Sequence, residues 1–235
     1  MAKMASSPTV RQNYTFKASR HSSHTHLLQM LPAAGQGQRV LDVGCAAGYL
    51  AETLAARGYR VTGVERPGAN DDGFPDSVKL VEADLEHGLP PLDGLFSYAI
   101  CGDVLEHVRD PAKLLRGIRS VLEPGGLLLA SLPNSGHIVF RLVVLSGHFP
   151  QQDRGLFDRT HVRFYMWKGW ERLLAEAGFR IESSHPTIPP FDLAFPGWEG
   201  TFPLRAAEHL AYLSARVWPA LFAYQFVIQA KVEIP

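Results

Sequence analysis

Three acids and two glycines in this chain are spaced as a nucleoside site requires. Asp42 lies in an apolar run that leads into Gly44 and Gly48, within VLDVGCAAGYL (40–50). Glu65 ends a second run, RVTGVE (60–65), and Asp84 ends a third, VKLVEAD (78–84). Glycine removes a Cβ where the backbone turns sharply or where a ligand approaches it. An acid about twenty positions past such a loop, at the end of the next strand, accepts hydrogen bonds from ribose hydroxyls. Turn glycines alone are common; Asp42 and Glu65 in these places give the loop its weight.

The loop also selects among nucleosides. A dinucleotide fingerprint needs G-x-G-x-x-G, with the pyrophosphate over a helix N-terminus. Here the order is Gly44-Cys45-Ala46-Ala47-Gly48, preceded by Asp42. An acid beside the loop repels a diphosphate and suits a ligand that carries an ammonium and a sulfonium. S-adenosylmethionine (SAM) is therefore favoured over NAD, and a dehydrogenase is the third reading.

A second group of residues could move a proton. Asp103, Glu106 and His107 stand in GDVLEHV (102–108), and His161 stands in DRTHVRFY (158–165). Methylation of a hydroxyl asks for a base as the methyl moves in line, and histidine suits that role at neutral pH. Each also has a structural reading: His107 orients its loop, and His161 ties an insertion to the sheet. His137 is a third candidate. Arg159 and Arg163 are placed to bind a carboxylate or phosphate bidentately, or else to pair with Asp158 or Glu171. No metal is expected, because His21, His24 and His26 form a polar cluster rather than a set of ligands.

These residues need elements to hold them. Apolar runs at 39–43, 60–65, 78–84, 95–101, 127–133, 179–185 and 222–232 read as strands. Residues 21–30, 49–57, 112–122 and 167–177 read as helices, the third opened by Asp110-Pro111 and closed by Pro124-Gly125-Gly126. Alternating strands and helices predict βαβ units and a mostly parallel sheet. Asn134–Met166 has no clean period, and Pro186–Pro203 is rich in proline and aromatics. Segments of this kind, after strand ends, cover the crevice of open α/β sheets.

The same residues carry a family resemblance. VLDVGCAAGYLAETLAARGYRVTGVE resembles the first two motifs of class I SAM-dependent methyltransferases. VEADLE (81–86) resembles their acidic motif, in which Asp84, with Leu85 beside it, contacts adenine. Phe96–Asn134 resembles the fourth and fifth motifs, so the likeness spans about 39–134. The usual G-C-G-x-G is altered at Ala46, which puts a Cβ near the ligand. GLFDRTHVRFYMWKGWERLLAEAGF (155–179) is similar to a segment of bacterial methyltransferases associated with cell-envelope glycans, O-antigen and secondary metabolites.

The resemblance implies a doubly wound, Rossmann-like α/β domain with a seven-stranded sheet of order 3-2-1-4-5-7-6, the last strand antiparallel. It implies one domain over 21–235 behind a flexible arm, 1–20, with insertions at about 134–166 and 186–218 as a substrate cap. Expected cofactor contacts are Asp42, Gly44, Cys45, Ala46, Gly48, Glu65, Asp84, Leu85, Cys101, Gly102 and Asp103. Expected catalytic residues are His107, His161 and Asp103. The activity implied is methyl transfer from SAM, leaving S-adenosylhomocysteine (SAH), to a small-molecule acceptor: O-methylation of a sugar, glycan or secondary metabolite. N- or C-methylation, and a SAM-fold binding protein without turnover, are the alternatives.

Bulk properties agree. Basic and acidic residues number 23 each, and no basic block stands out, so nucleic acid is not an expected partner. Two cysteines form no framework and suit a reducing, cytoplasmic setting without a disulfide. The first residues hold no apolar signal core, and no run of about 18 apolar residues predicts a spanning helix. The stretch 188–222 is either a lid or membrane-facing patch for a lipid-linked acceptor, or a core cover or homodimer interface.

Overall fold

The computed structural model describes residues 21–68 and 73–233; the expected arm at 1–20 lies outside the described residues. Seven strands form one sheet: β1 (Arg39–Val43), β2 (Arg60–Glu65), β3 (Lys79–Glu82), β4 (Phe96–Gly102), β5 (Leu122–Pro133), β6 (Phe179–Pro186) and β7 (Gln225–Val232). Their order is β3-β2-β1-β4-β5-β7-β6, as the resemblance implies. The first five run parallel, and β7 is antiparallel to both its neighbours.

Both faces of the sheet are covered, which is why β1 is buried from Val40 to Val43, Asp42 included. On one face α1 (Ser23–Met30) and α2 (Tyr49–Ala56) bury Leu27, Leu28, Leu50 and Leu54 with Val40, Val61, Ile100 and Val227. On the other, α3 (Pro111–Ser120) and α5 (Trp167–Glu176) bury Leu114, Leu115, Ile118, Trp170 and Leu174 with Leu41, Phe96, Leu128 and Phe226. Each such side chain stabilises the fold by about 1.5–3 kcal/mol relative to exposure. The start of α3 is set locally: Asp110 accepts the Lys113 N–H at 2.9 Å, and Pro111 supplies a helical φ.

The structure departs from the sequence reading in several places. Phe222, read as the start of the last strand, ends a short helix, and Asp84, read as the end of the third, lies past β3 and caps a 3-10 turn. The third helix stops at Ser120, and Leu122, read as helical, pairs with Phe96 at the start of β5. Leu122 is buried there, so burial outweighs the stop signal of Pro124-Gly125-Gly126, which β5 carries within it. The segment without a period holds α4 (Ile138–Leu145). Its apolar residues surround the helix, and only Phe140 is buried, so no amphipathic stripe marks it. Three further helices precede β7: α6 (Phe191–Ala194), α7 (Phe202–Val217) and α8 (Pro219–Phe222).

Register gathers the strand ends. Val43 pairs with Cys101, Gly102 with Ser131, Pro133 with Gln225, and Phe226 with Pro186. One sheet edge thus carries the ends of β1, β4, β5 and β6 and the start of β7, where ligands of open α/β sheets bind.

Candidate active site

The loop after β1 is shaped by its backbone. Gly44, Ala46 and Gly48 have φ of 71°, 47° and 79°, the left-handed region. A Cβ on Gly44 would lie 2.5 Å from Val104 Cγ2, so this glycine answers both to its dihedral and to close approach. The Gly44 and Cys45 N–H groups donate to the Val64 carbonyl at 2.8 and 3.2 Å. The Ala46 N–H donates to Glu65 Oε2 at 2.8 Å, and the Arg66 N–H to Oε1 at 2.9 Å. Glu65 therefore clamps the loop, and each of its oxygens keeps a second acceptor position for a ribose hydroxyl.

Asp42 sits beneath this loop, 3% exposed. Burial, and secondarily the charge of Glu65, push its carboxyl up to about 7. Its Oδ2 has no hydrogen-bond partner among the described residues. A buried carboxylate oxygen without a donor is costly, so the position is completed by a ligand that brings a cation or a donor. The residues present fit SAM on that ground.

The other expected cofactor residues border the same edge. Asp84 accepts the Glu86 N–H at 3.0 Å and opens a 3-10 turn that begins at Leu85, and the Ala83 N–H donates to the Glu65 carbonyl at 2.8 Å. Cys101 is fully buried, and both Cys45 and Cys101 are free thiols. Asp103, next after Gly102, has φ 55°. Its Oδ1 accepts from Ser131 Oγ at 2.6 Å and from Gln225 Nε2 at 2.8 Å, which fastens the end of β4 to β5 and β7.

The two candidate bases meet. His107 and His161 are 54 positions apart in the chain, yet their rings lie edge to face at 4.8 Å. Glu106, buried between them, has Oε1 4.0 Å from His107 Nε2 and 3.9 Å from His161 Nε2. The DRTH segment is held here because the Val162 and Arg163 N–H groups donate to the Glu106 carbonyl at 2.9 and 3.1 Å. Thr160 Oγ1 donates to Asp158 Oδ1 at 2.6 Å, so it accepts from His107 Nδ1 at 3.0 Å. Nδ1 then carries the proton, and Nε2 is left as the acceptor, the tautomer a general base needs. Burial lowers His107, against smaller upward pulls from the Thr160 carbonyl, Asp158 and Asp103. Burial first, then His107, lowers His161 to about 4. Both rings are neutral at pH 7.

Other candidates fall to structural roles. His137 caps α4, its Nδ1 accepting the Val139 N–H at 3.3 Å, and burial lowers it to about 4. Arg159 pairs with Asp153, and Arg163 donates to the Arg109 carbonyl; neither takes Asp158 or Glu171. Sequence reasoning missed Thr160 and Asp158 as the pair that fixes His107, although both stand in the quoted DRTH segment. It also missed Ser131 and Gln225, for which only three-dimensional pairing gives a signal. Nor did it foresee that Glu106, His107 and His161 place three potential metal-ligand atoms within 4.8 Å of one another.

The comparisons with known proteins agree with this architecture. Residues 17–184 match the model of a family described as a methyltransferase domain. The chain belongs to this methyltransferase family. Its fold is that of class I SAM-dependent methyltransferases. Among curated relatives, the ubiquinone biosynthesis O-methyltransferase of Chromobacterium violaceum is 29% identical over 157 residues, 63% of this chain. The match spans 66% of that protein, just under two thirds of its length. Among solved structures, the magnesium protoporphyrin IX methyltransferase of Synechocystis PCC 6803, with bound SAH, has a TM-score of 0.57 at 17% identity, covering 89% of this chain and 80% of that one. The [4+2]-cyclase SpnF also reaches 0.57, at 21% identity, covering 90% of this chain and 81% of that one. One fold thus hosts different chemistry, and the reaction has to be argued from the site.

Proposed function

We propose that this methyltransferase transfers a methyl group from SAM to a hydroxyl of a small acceptor. The observation that carries the reading is the meeting of His107 and His161 at the edge that holds the Gly44–Gly48 loop and Glu65. The O-methylating curated relatives support the acceptor atom. Bound SAM supplies an electrophilic methyl on a sulfonium. His107 Nε2 accepts the hydroxyl proton, and the Thr160–Asp158 chain holds the ring by its other nitrogen. Asp42 offers its buried carboxylate to the cofactor's ammonium end, and Glu65 receives the ribose hydroxyls. Asp84 and Leu85 border the adenine, with Cys101–Asp103 closing the pocket beneath.

Insertions at about 134–166 and 186–218 form the substrate cap of a domain over 21–235. Phe140, Phe149, Phe157 and Phe164 make an aromatic wall there, and Phe164 lies 6.0 Å from the His161 ring. Such a wall suits the flat face of a sugar or of an aromatic metabolite, in keeping with a glycan or secondary-metabolite acceptor. No helix among the described residues is long and apolar enough to cross a membrane.

The test is single-turnover methyl transfer from radiolabelled SAM to a panel of hydroxylated sugars and phenols. The expected result is label in an ether, with the rate lost in His107→Gln. Label on nitrogen or carbon, or on nothing, would remove the O-methyl assignment.

A further inference from the structure

A cavity of about 680 Å³ lies between the edge of β6, α7 and α8. The size fits the roughly 300–1,000 Å³ of small-molecule sites. Trp167, Tyr212, Trp218 and Phe226 supply aromatic surface, while Arg216 and His185 stand at the lining with no acidic side chain among the described lining residues. Its position ties it to the candidate active site. Phe226 follows Gln225, whose amide donates to Asp103 at 2.8 Å. The wall at Ala220 is bonded to the end of β5, its carbonyl accepting from Asn134 Nδ2 at 3.2 Å. The ends of β5 and β6 and the start of β7 place the cavity on the edge that carries His107.

We infer that this cavity seats the non-reacting body of an acidic acceptor: a molecule with one flat apolar face and one carboxylate. The inference rests on the proposed methyl transfer. The flat face stacks on Trp218 and Tyr212, and the carboxylate pairs with the Arg216 guanidinium, a fork suited to bidentate contact. With the Arg216 guanidinium as its charge and no acidic side chain among the described lining residues, the lining attracts an anion and rejects a cation. The same chemistry occurs in an aromatic acid and in a uronic acid, so both are probes.

The experiment is calorimetric titration of the SAH-loaded protein with 4-hydroxybenzoate and with glucuronate, and with the neutral methyl ester of each. Wild type, Arg216→Gln and Trp218→Ala are compared, and SAH is titrated into each as a control. The expected result is that one acid binds and its ester binds at least about tenfold more weakly. Arg216→Gln brings the acid to the level of its ester, and Trp218→Ala weakens acid and ester alike, with SAH affinity retained in both variants. The preferred acid tells aromatic from sugar. Equal binding of acid and ester, an unchanged affinity in Arg216→Gln, or no binding of either acid to a protein that takes SAH normally would overturn the inference and leave methyl transfer standing. A wild type that does not bind SAH would overturn both.

Discussion

Between Asp42 and Glu65 the site is made of backbone: three left-handed residues, two N–H groups on one carbonyl, and a carboxylate that clamps the turn. Between Asp103 and Gln225 it is made of side chains from distant segments, with His107 held by Thr160 and Asp103 by Ser131 and Gln225. The first region has little freedom and little need of the rest of the chain. The second exists only when the sheet is formed and the 158–163 segment is seated against Glu106. A cofactor can be met by a fixed local loop, whereas an acceptor is met by side chains that separate segments bring together.

The regions also differ in how acid affects them, and this gives the largest expected effect. Asp42 is raised in the folded state, so its contribution to stability is full below about 3.8 and is lost as the pH rises to about 7. His137 and His161 are lowered, so theirs is full above 6.5 and is lost as the pH falls to about 4. Asp42→Asn should therefore gain stability over wild type by ~4 kcal/mol more at pH 8 than at pH 4. Chemical denaturation at the two pH values measures it; a constant difference would mean that Asp42 ionises freely.

Gly44→Ala attacks the backbone region directly. The left-handed φ and the contact with Val104 should cost about 3 kcal/mol and lower Tm by on the order of 10 °C. Thermal unfolding reads this, and a wild-type Tm would show that the loop is not under strain. His107→Gln attacks the other region. It should lower kcat about 100-fold and leave SAH affinity unchanged. An unchanged kcat would make the ring a structural group only. The smallest effect is a gain: Ala46→Gly should relieve a residue at φ 47° and add about 1 kcal/mol. A loss of stability there would mean that the alanine methyl contributes packing.

What was legible in the sequence follows the same division. VLDVG and RVTGVE are buried on both faces and bounded by glycine and by an acid, and β1 and β2 span those residues. Sheet order came from the resemblance, not from periodicity. α4 was not legible, because Val139, Leu142, Val144 and Leu145 face solvent and leave no stripe. Leu122 was misread since a local stop signal competes with a long-range pairing to Phe96. His107 and His161 could each be named as candidates, but their meeting depends on the carbonyl of Glu106 catching the backbone of Val162 and Arg163.

The central claim is that the Gly44–Gly48 loop and Glu65 hold SAM. Calorimetric titration of wild type and Glu65→Ala with SAM, SAH and NAD tests it most directly. The account predicts that wild type binds SAM and SAH in preference to NAD, and that the variant, which lacks the ribose acceptor and the clamp on Ala46, binds both at least about tenfold more weakly. Equal binding by the variant, or a preference for NAD, would contradict it.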